Sequence, residues 1–124
     1  MIDNLKAKRD FRERCYKYSI SMIRFIDTFP ETRTYWTLKD QLLRSSTSIG
    51  ANIVEAKSAS SKRDYIRYYE IALKSANETK YWLGLFRDAL GVDEIKINEL
   101  LKETGELSNI IAASLLTMKS RKQI

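Results

Sequence analysis

Apolar residues fall in four runs, each with the alternating three- and four-residue step of an amphipathic helix. In the first run, Phe11, Cys15, Tyr18, Met22, Phe25 and Phe29 are separated by 4, 3, 4, 3 and 4 positions. In the second, Leu38, Leu42, Ser46, Ile49, Ile53 and Ala56 form one stripe, with Leu43 and Val54 beside it. Tyr65, Tyr69, Ala72, Ala76, Thr79, Leu83, Phe86 and Leu90 continue the rule in the third, and Ile97, Leu101, Thr104, Leu107, Ile111, Leu115 and Met118 in the fourth. This step gathers the apolar side chains on one face of each helix, and its near-3.5 period suits left-handed bundle packing.

The breaks between runs are few. Pro30 sits in Thr28-Phe29-Pro30-Glu31-Thr32, Lys57-Ser58-Ala59-Ser60-Ser61 is small and polar, and Gly91 precedes Val92-Asp93. Helices are therefore predicted over about 10–28, 34–56, 62–90 and 93–118, between a basic N-terminal arm and a C-terminal tail. Ser61 can cap the third helix, with Asp64 in its first turn. Asp93 can cap the fourth, and Gly91 suits the left-handed residue that closes the third. Short connections place successive helices antiparallel. The expected fold is an all-α, up-down-up-down four-helix bundle in a single domain spanning 1–124.

The centre of the second helix, Ser45-Ser46-Thr47-Ser48-Ile49-Gly50-Ala51-Asn52, is rich in small residues that are mediocre helix formers. Three explanations fit: close packing within the chain, a contact between subunits, or a ligand site. Asn52, Glu55 and Glu78 are expected partly inside the bundle. A buried carboxylate needs a partner, and Arg44 is placed to pair with Glu78 or Glu70 and fix helix register. Ordinary surface charges would explain these residues equally well.

Composition narrows the function classes. The chain has 124 residues, 44% apolar and 31% charged, with 4 Gly and 1 Pro, which is too little turn chemistry for a sandwich or barrel. It has no histidine and one cysteine, Cys15. Histidine-based acid–base catalysis, a Cys-His dyad and the Glu-x-x-His sites of di-iron bundles are excluded within the chain. No phosphate-cradling loop is present. The expectation is a protein with no catalytic residues, metal or cofactor. No run of 18 or more apolar residues occurs and Met1–Asn4 does not open a signal peptide, so a cytoplasmic location without a membrane role is expected.

The charge is +6, from 22 basic and 16 acidic residues, and its placement is uneven. In the predicted bundle, the start of helix one, the loop between helices two and three and the end of helix four share one end. That end gathers 13 basic residues: Lys6, Lys8, Arg9, Arg12, Arg14, Lys17, Lys57, Lys62, Arg63, Arg67, Lys119, Arg121 and Lys122. Against them stand 5 acidic ones, Asp3, Asp10, Glu13, Glu55 and Asp64. A concentrated positive end attracts polyanions, and Tyr16, Tyr65, Tyr68 and Tyr69 lie near it, where aromatics among cations can stack on unpaired bases. Arg9, Arg12, Lys62, Arg63 and Arg67 are the predicted nucleic-acid contacts. A protein partner with an acidic surface, or a solvated rim around core tyrosines, would also account for the pattern.

The chain resembles a known family in Pro30, then Leu38-x-x-Gln41-Leu42-x-Arg44-Ser45-Ser46-x-Ser48-Ile49-x-Ala51-Asn52-Ile53-x-Glu55-Ala56, followed by Tyr65-x-x-Tyr68-Tyr69-x-Ile71-Ala72-x-x-Ser75-x-x-Glu78. This pattern is similar to the four-helix-bundle proteins encoded in intervening sequences of 23S ribosomal RNA genes. Ala56 replaces the family's usual glycine, and its basic-Ser loop takes the form Lys57-Ser58-Ala59-Ser60-Ser61. The resemblance implies a cytosolic homopentamer around a central channel and brings no catalytic residues. Related bundles serve as accessory proteins of diversity-generating retroelements, where a basic pentamer engages a reverse transcriptase and nucleic acid. Three functions are thus open: an oligomeric RNA binder of low sequence specificity, an accessory subunit for a partner such as a reverse transcriptase, or a structural oligomer without a nucleic-acid role. Tyr35, Trp36, Tyr81 and Trp82 are candidate anchors of a subunit interface, or else core residues.

Overall fold

A computed structural model describes residues 2–122, of which residues 2, 3, 121 and 122 are described as backbone alone. It contains four α-helices, α1 (Ile2–Ile26), α2 (Arg33–Ala56), α3 (Lys62–Asp88) and α4 (Glu94–Lys122), and no strand among the described residues. The inner boundaries fall within two residues of the predicted ones. The outer two do not: the N-terminal arm is the first part of α1, and the C-terminal tail continues α4. Leu5-Lys6-Ala7-Lys8-Arg9 and Ser120-Arg121-Lys122 contain no glycine or proline, so nothing in either segment halts a helix already nucleated beside it.

Local chemistry sets the turns. Thr28 donates its hydroxyl to the Phe25 carbonyl at 2.6 Å as α1 ends ahead of Pro30. Ser61 caps α3 by accepting the Asp64 amide at 3.1 Å, and Asp93 accepts the Lys96 amide at 3.1 Å. Gly91 has φ +64°, and just beyond it the Val92 amide reaches back to the Phe86 carbonyl at 3.0 Å, folding the chain over the end of α3.

The predicted stripes form the core. Cys15, Met22, Leu42, Ile49, Ala72, Ala76, Leu83, Phe86, Ile97, Leu107 and Ile111 have no exposed surface. Pairs across α2 and α3 join Arg44 to Glu78, Ser45 to Thr79 and Ser48 to Ser75; across α3 and α4, Lys80 joins Ser108, Arg87 joins Asn98 and Glu70 joins Lys119. The seam between α1 and α4 is the loosest. Long side chains cross it: Arg14 to Glu103 and Glu106, and Tyr18 to Thr104 at 2.6 Å.

The small residues of α2 pack within the chain. Ser45, Ser46 and Gly50 are buried. The Ser45 and Thr79 hydroxyls share a hydrogen bond of 2.9 Å, those of Ser48 and Ser75 one of 3.0 Å, and Asn52 donates to the Ser48 carbonyl at 2.8 Å. Gly50 meets α1, where an added Cβ would lie 3.3 Å from Cys15 Cβ and 3.3 Å from its carbonyl oxygen.

Two expectations are corrected. Glu55 is exposed rather than partly inside, because two positions beyond Ile53 is about 200° around the helix, away from the core. Tyr35 and Trp82 are half-buried and not available as exposed anchors. The Tyr35 ring lies 6.0 Å from both Phe29 and Phe86, and its hydroxyl donates to the Leu90 carbonyl at 3.2 Å. Trp82 donates its indole N–H to Glu78 at 3.0 Å. Trp36 and Tyr81 are each 61% exposed.

Candidate nucleic-acid interface

Helix periodicity places the cations of α1 and α3 around a shared apolar contact. Phe11 is buried while Arg9 is exposed and Arg12 half-buried, so the apolar stripe of α1 runs between its basic positions. On α3, Ile66 and Tyr69 face inward and Lys62, Arg63 and Arg67 face out. Arg63 and Arg67 are four residues apart and share a face. Cations in the first turn of α3 are unfavourable toward the helix dipole, an effect partly offset by Asp64. The result is a raised positive potential at that helix start.

The segments that carry these residues meet in space. Lys8 Nζ stands 5.2 Å from the centre of the Tyr65 ring, which joins α1 to α3. Tyr65 and Tyr69 stack with their centres 5.0 Å apart and planes 20° from parallel, and their hydroxyls are 3.3 Å apart. Burial pushes the Tyr69 phenol far above its usual range, while nearby Arg12 opposes that shift. Ile110 and Met118 of α4 line the same groove as Lys8, Phe11, Tyr65 and Tyr69. The start of α1, the start of α3 and the last turns of α4 therefore converge, bringing Arg9 and Arg12 to the end that holds Lys62, Arg63 and Arg67.

Several of the basic residues assigned to this end are neutralised by carboxylates. Arg14 is bound by Glu103 at 2.6 Å and Glu106 at 2.9 Å, and these hydrogen bonds raise its pKa further. Lys119 pairs with Glu70 at 2.9 Å, and Lys17 with Glu13 at 3.4 Å. Glu70, Glu103 and Glu106 sit on other helices, so only the packing reveals that they neutralise basic positions. The side chains of Asp3, Arg121 and Lys122 lie outside the described residues.

The structural polar residues form a separate group. Arg44 binds Glu78 across α2 and α3, and also Gln41 at 2.9 Å. The Trp82 N–H and then the Arg44 charge hold the Glu78 carboxyl below its usual range. Asn52 is half-buried in the serine network and Glu55 stands outside it. Cys15 is buried, and desolvation pushes its thiol up to about 12, the environment of a packing residue rather than a nucleophile. Among the described residues no group of three or more acidic or cysteine side chains is arranged to hold a metal, and no helix is long and apolar enough to cross a membrane. Neither the lysine–tyrosine contact at the groove nor the stacking of Tyr65 on Tyr69 is among the sequence expectations; the four-residue spacing of the two tyrosines on one helix is the signal that points to the pair.

A model of the 23S rRNA-intervening sequence protein family matches residues 8–113, which includes all of α2 and α3. The chain belongs to this family. A crystal structure of a protein with unknown function from the S23 ribosomal protein family, from Bacteroides thetaiotaomicron VPI-5482, is similar at 28% identity and a TM-score of 0.79, covering 85% of this chain and 97% of that one. No curated protein matches the chain. Within this family member, the matched span contains Arg9, Arg12, Lys62, Arg63 and Arg67, whereas Asn4 at one edge of the groove and Met118 at the other lie beyond it.

Proposed function

We propose that the chain is a non-enzymatic, cytoplasmic, homo-oligomeric nucleic-acid-binding protein that takes RNA by its phosphates with low sequence specificity. The observation that carries this reading is the convergence of α1, α3 and α4 on one end, where Arg9, Arg12, Lys62, Arg63 and Arg67 have no carboxylate within 4.0 Å among the described residues. The proposed arrangement is an up-down-up-down antiparallel bundle, supported by the paired positions across its seams, assembled as a homopentameric ring. Exposed Tyr16 and Val54 meet in the groove over Gly50, and exposed Ile23 and Leu43 lie further along the same helices. This outer α1–α2 strip supplies apolar surface for self-association. A ring would repeat the basic end around one axis.

Light scattering coupled to size exclusion, with a structured RNA at about 50 and 200 mM salt, tests assembly and binding together. The expected result is a ring-sized particle that holds RNA at the lower salt and releases it at the higher. Lys62→Glu, Arg63→Glu and Arg67→Glu combined should abolish uptake without changing particle size. Unchanged RNA affinity in that triple variant overturns the assignment of the basic end.

A further inference from the structure

We infer that the groove between the start of α1 and the end of α4 is a pocket for an unpaired nucleobase, so that the basic end selects single-stranded over duplex RNA. This inference rests on the proposed polyanion binding and adds the form of nucleic acid bound.

The groove has a volume of about 420 Å³, within the usual range for small-ligand sites. Its inner walls are apolar and aromatic: Phe11, Tyr69, Ile110 and Met118. Tyr65 is half-buried, and one face of its ring is backed by Tyr69. The ammonium of Lys8, an exposed residue, stands over the same ring 5.2 Å from its centre. Because Lys8 is exposed and Tyr65 only half-buried, this contact lies on the open side of the groove, where a ligand cation or ring can compete for it. A base entering the groove takes the place of Lys8 over the Tyr65 ring, and Lys8 Nζ is released to the phosphate of the same nucleotide. The Asn4 amide at the rim offers both a donor and an acceptor to a base edge.

Charge selects the occupant. The apolar walls alone would suit any flat hydrophobic group, but Lys8 borders them directly, Arg12 lies near Tyr69, and Arg9 and Lys62 stand exposed on the same end. Aromatic walls beneath a cationic rim match a base attached to a phosphate. A paired base presents only its edge and backbone, so a duplex gains the rim cations without the stack.

The test uses the full chain, a 12-nucleotide single-stranded RNA with a central 2-aminopurine, and the same strand annealed to its complement, at about 50 mM salt. Single strand should bind roughly tenfold more tightly than duplex, a preference typical of one stacked base. The 2-aminopurine emission should change on binding. Tyr65→Leu should remove the preference and Tyr65→Phe should keep it. Ala113→Trp, at an exposed position of α4 lining the groove, should also remove the preference, and circular dichroism would confirm its fold. If Tyr65→Leu and Ala113→Trp leave single-strand affinity unchanged while the Lys62, Arg63 and Arg67 reversal abolishes it, the pocket is refuted and the polyanion reading stands. If the unaltered protein binds neither form, both fall.

Discussion

Ser45 on α2 and Thr79 on α3 share a buried hydrogen bond of 2.9 Å between their hydroxyls, with neither side chain exposed to solvent. Thr79 also lies 2.8 Å from the Ser75 carbonyl. Two small hydroxyls thus let the helices approach closely while satisfying each other, which accounts for a serine-rich stretch in the middle of a helix.

This bond should couple the two positions. Thr79→Val removes this bond and leaves the Ser45 hydroxyl only the Leu42 carbonyl at 3.4 Å, so it should cost about 0.5–1.5 kcal/mol. The double variant Ser45→Ala/Thr79→Val should cost less than the sum of the singles in a denaturant double-mutant cycle. Strict additivity would show that the hydroxyls do not act as a pair.

At Gly50 two effects oppose one another. Alanine gains about 1 kcal/mol in helix propensity but brings a Cβ to 3.3 Å from a backbone oxygen of α1. Gly50→Ala should therefore be close to neutral. Gly50→Leu forces the helices apart and should destabilise by about 1–3 kcal/mol or more. Thermal unfolding checks both, and an unchanged midpoint for the leucine variant would contradict the close approach.

The Glu78 carboxyl is held below its ordinary range by Trp82 and Arg44, so the folded state favours its charged form. Its contribution is present above the unfolded carboxylate pKa, about 4.3, and is lost as pH falls through the lower folded value. The Arg44 and Glu78 side chains are 56% and 31% exposed, which limits the ion pair to about 1 kcal/mol or less. The melting-point gap between the unaltered protein and Glu78→Gln should be widest at neutral pH and narrow in acid. A gap that grows toward pH 3 would reverse the sign.

Cys15 should resist thiol chemistry. Its thiol is pushed up to about 12 and is wholly buried. Ellman's reagent at pH 8 should label none of it in the native protein and one equivalent after denaturation. Rapid native labelling would mean that α1 opens readily from the bundle.

Local order was legible in the sequence because periodicity and capping act over a few residues. The stripes from Phe11 to Met118, the Ser61 and Asp93 caps, and the left-handed turn at Gly91 follow from spacing and side-chain chemistry alone. The partner of Arg44 was narrowed to Glu78 or Glu70; packing chose Glu78 and gave Glu70 to Lys119.

What only the tertiary structure decided lies across the seams. Glu103 binds Arg14 from 89 residues away, and no local rule links them, so the basic end looked richer in available cations than it is. Tyr35 and Trp36 are neighbours in sequence, yet one docks on Phe29 and Phe86 while the other faces solvent. Glu55 stands outside because rotation around α2, not nearness to Ile53, sets its environment. The sequence by itself determined which residues form helices and which stripe each helix buries, since those depend on steps of three and four. Which charges remain available, and which tyrosine faces a groove, depended on helices brought together by folding.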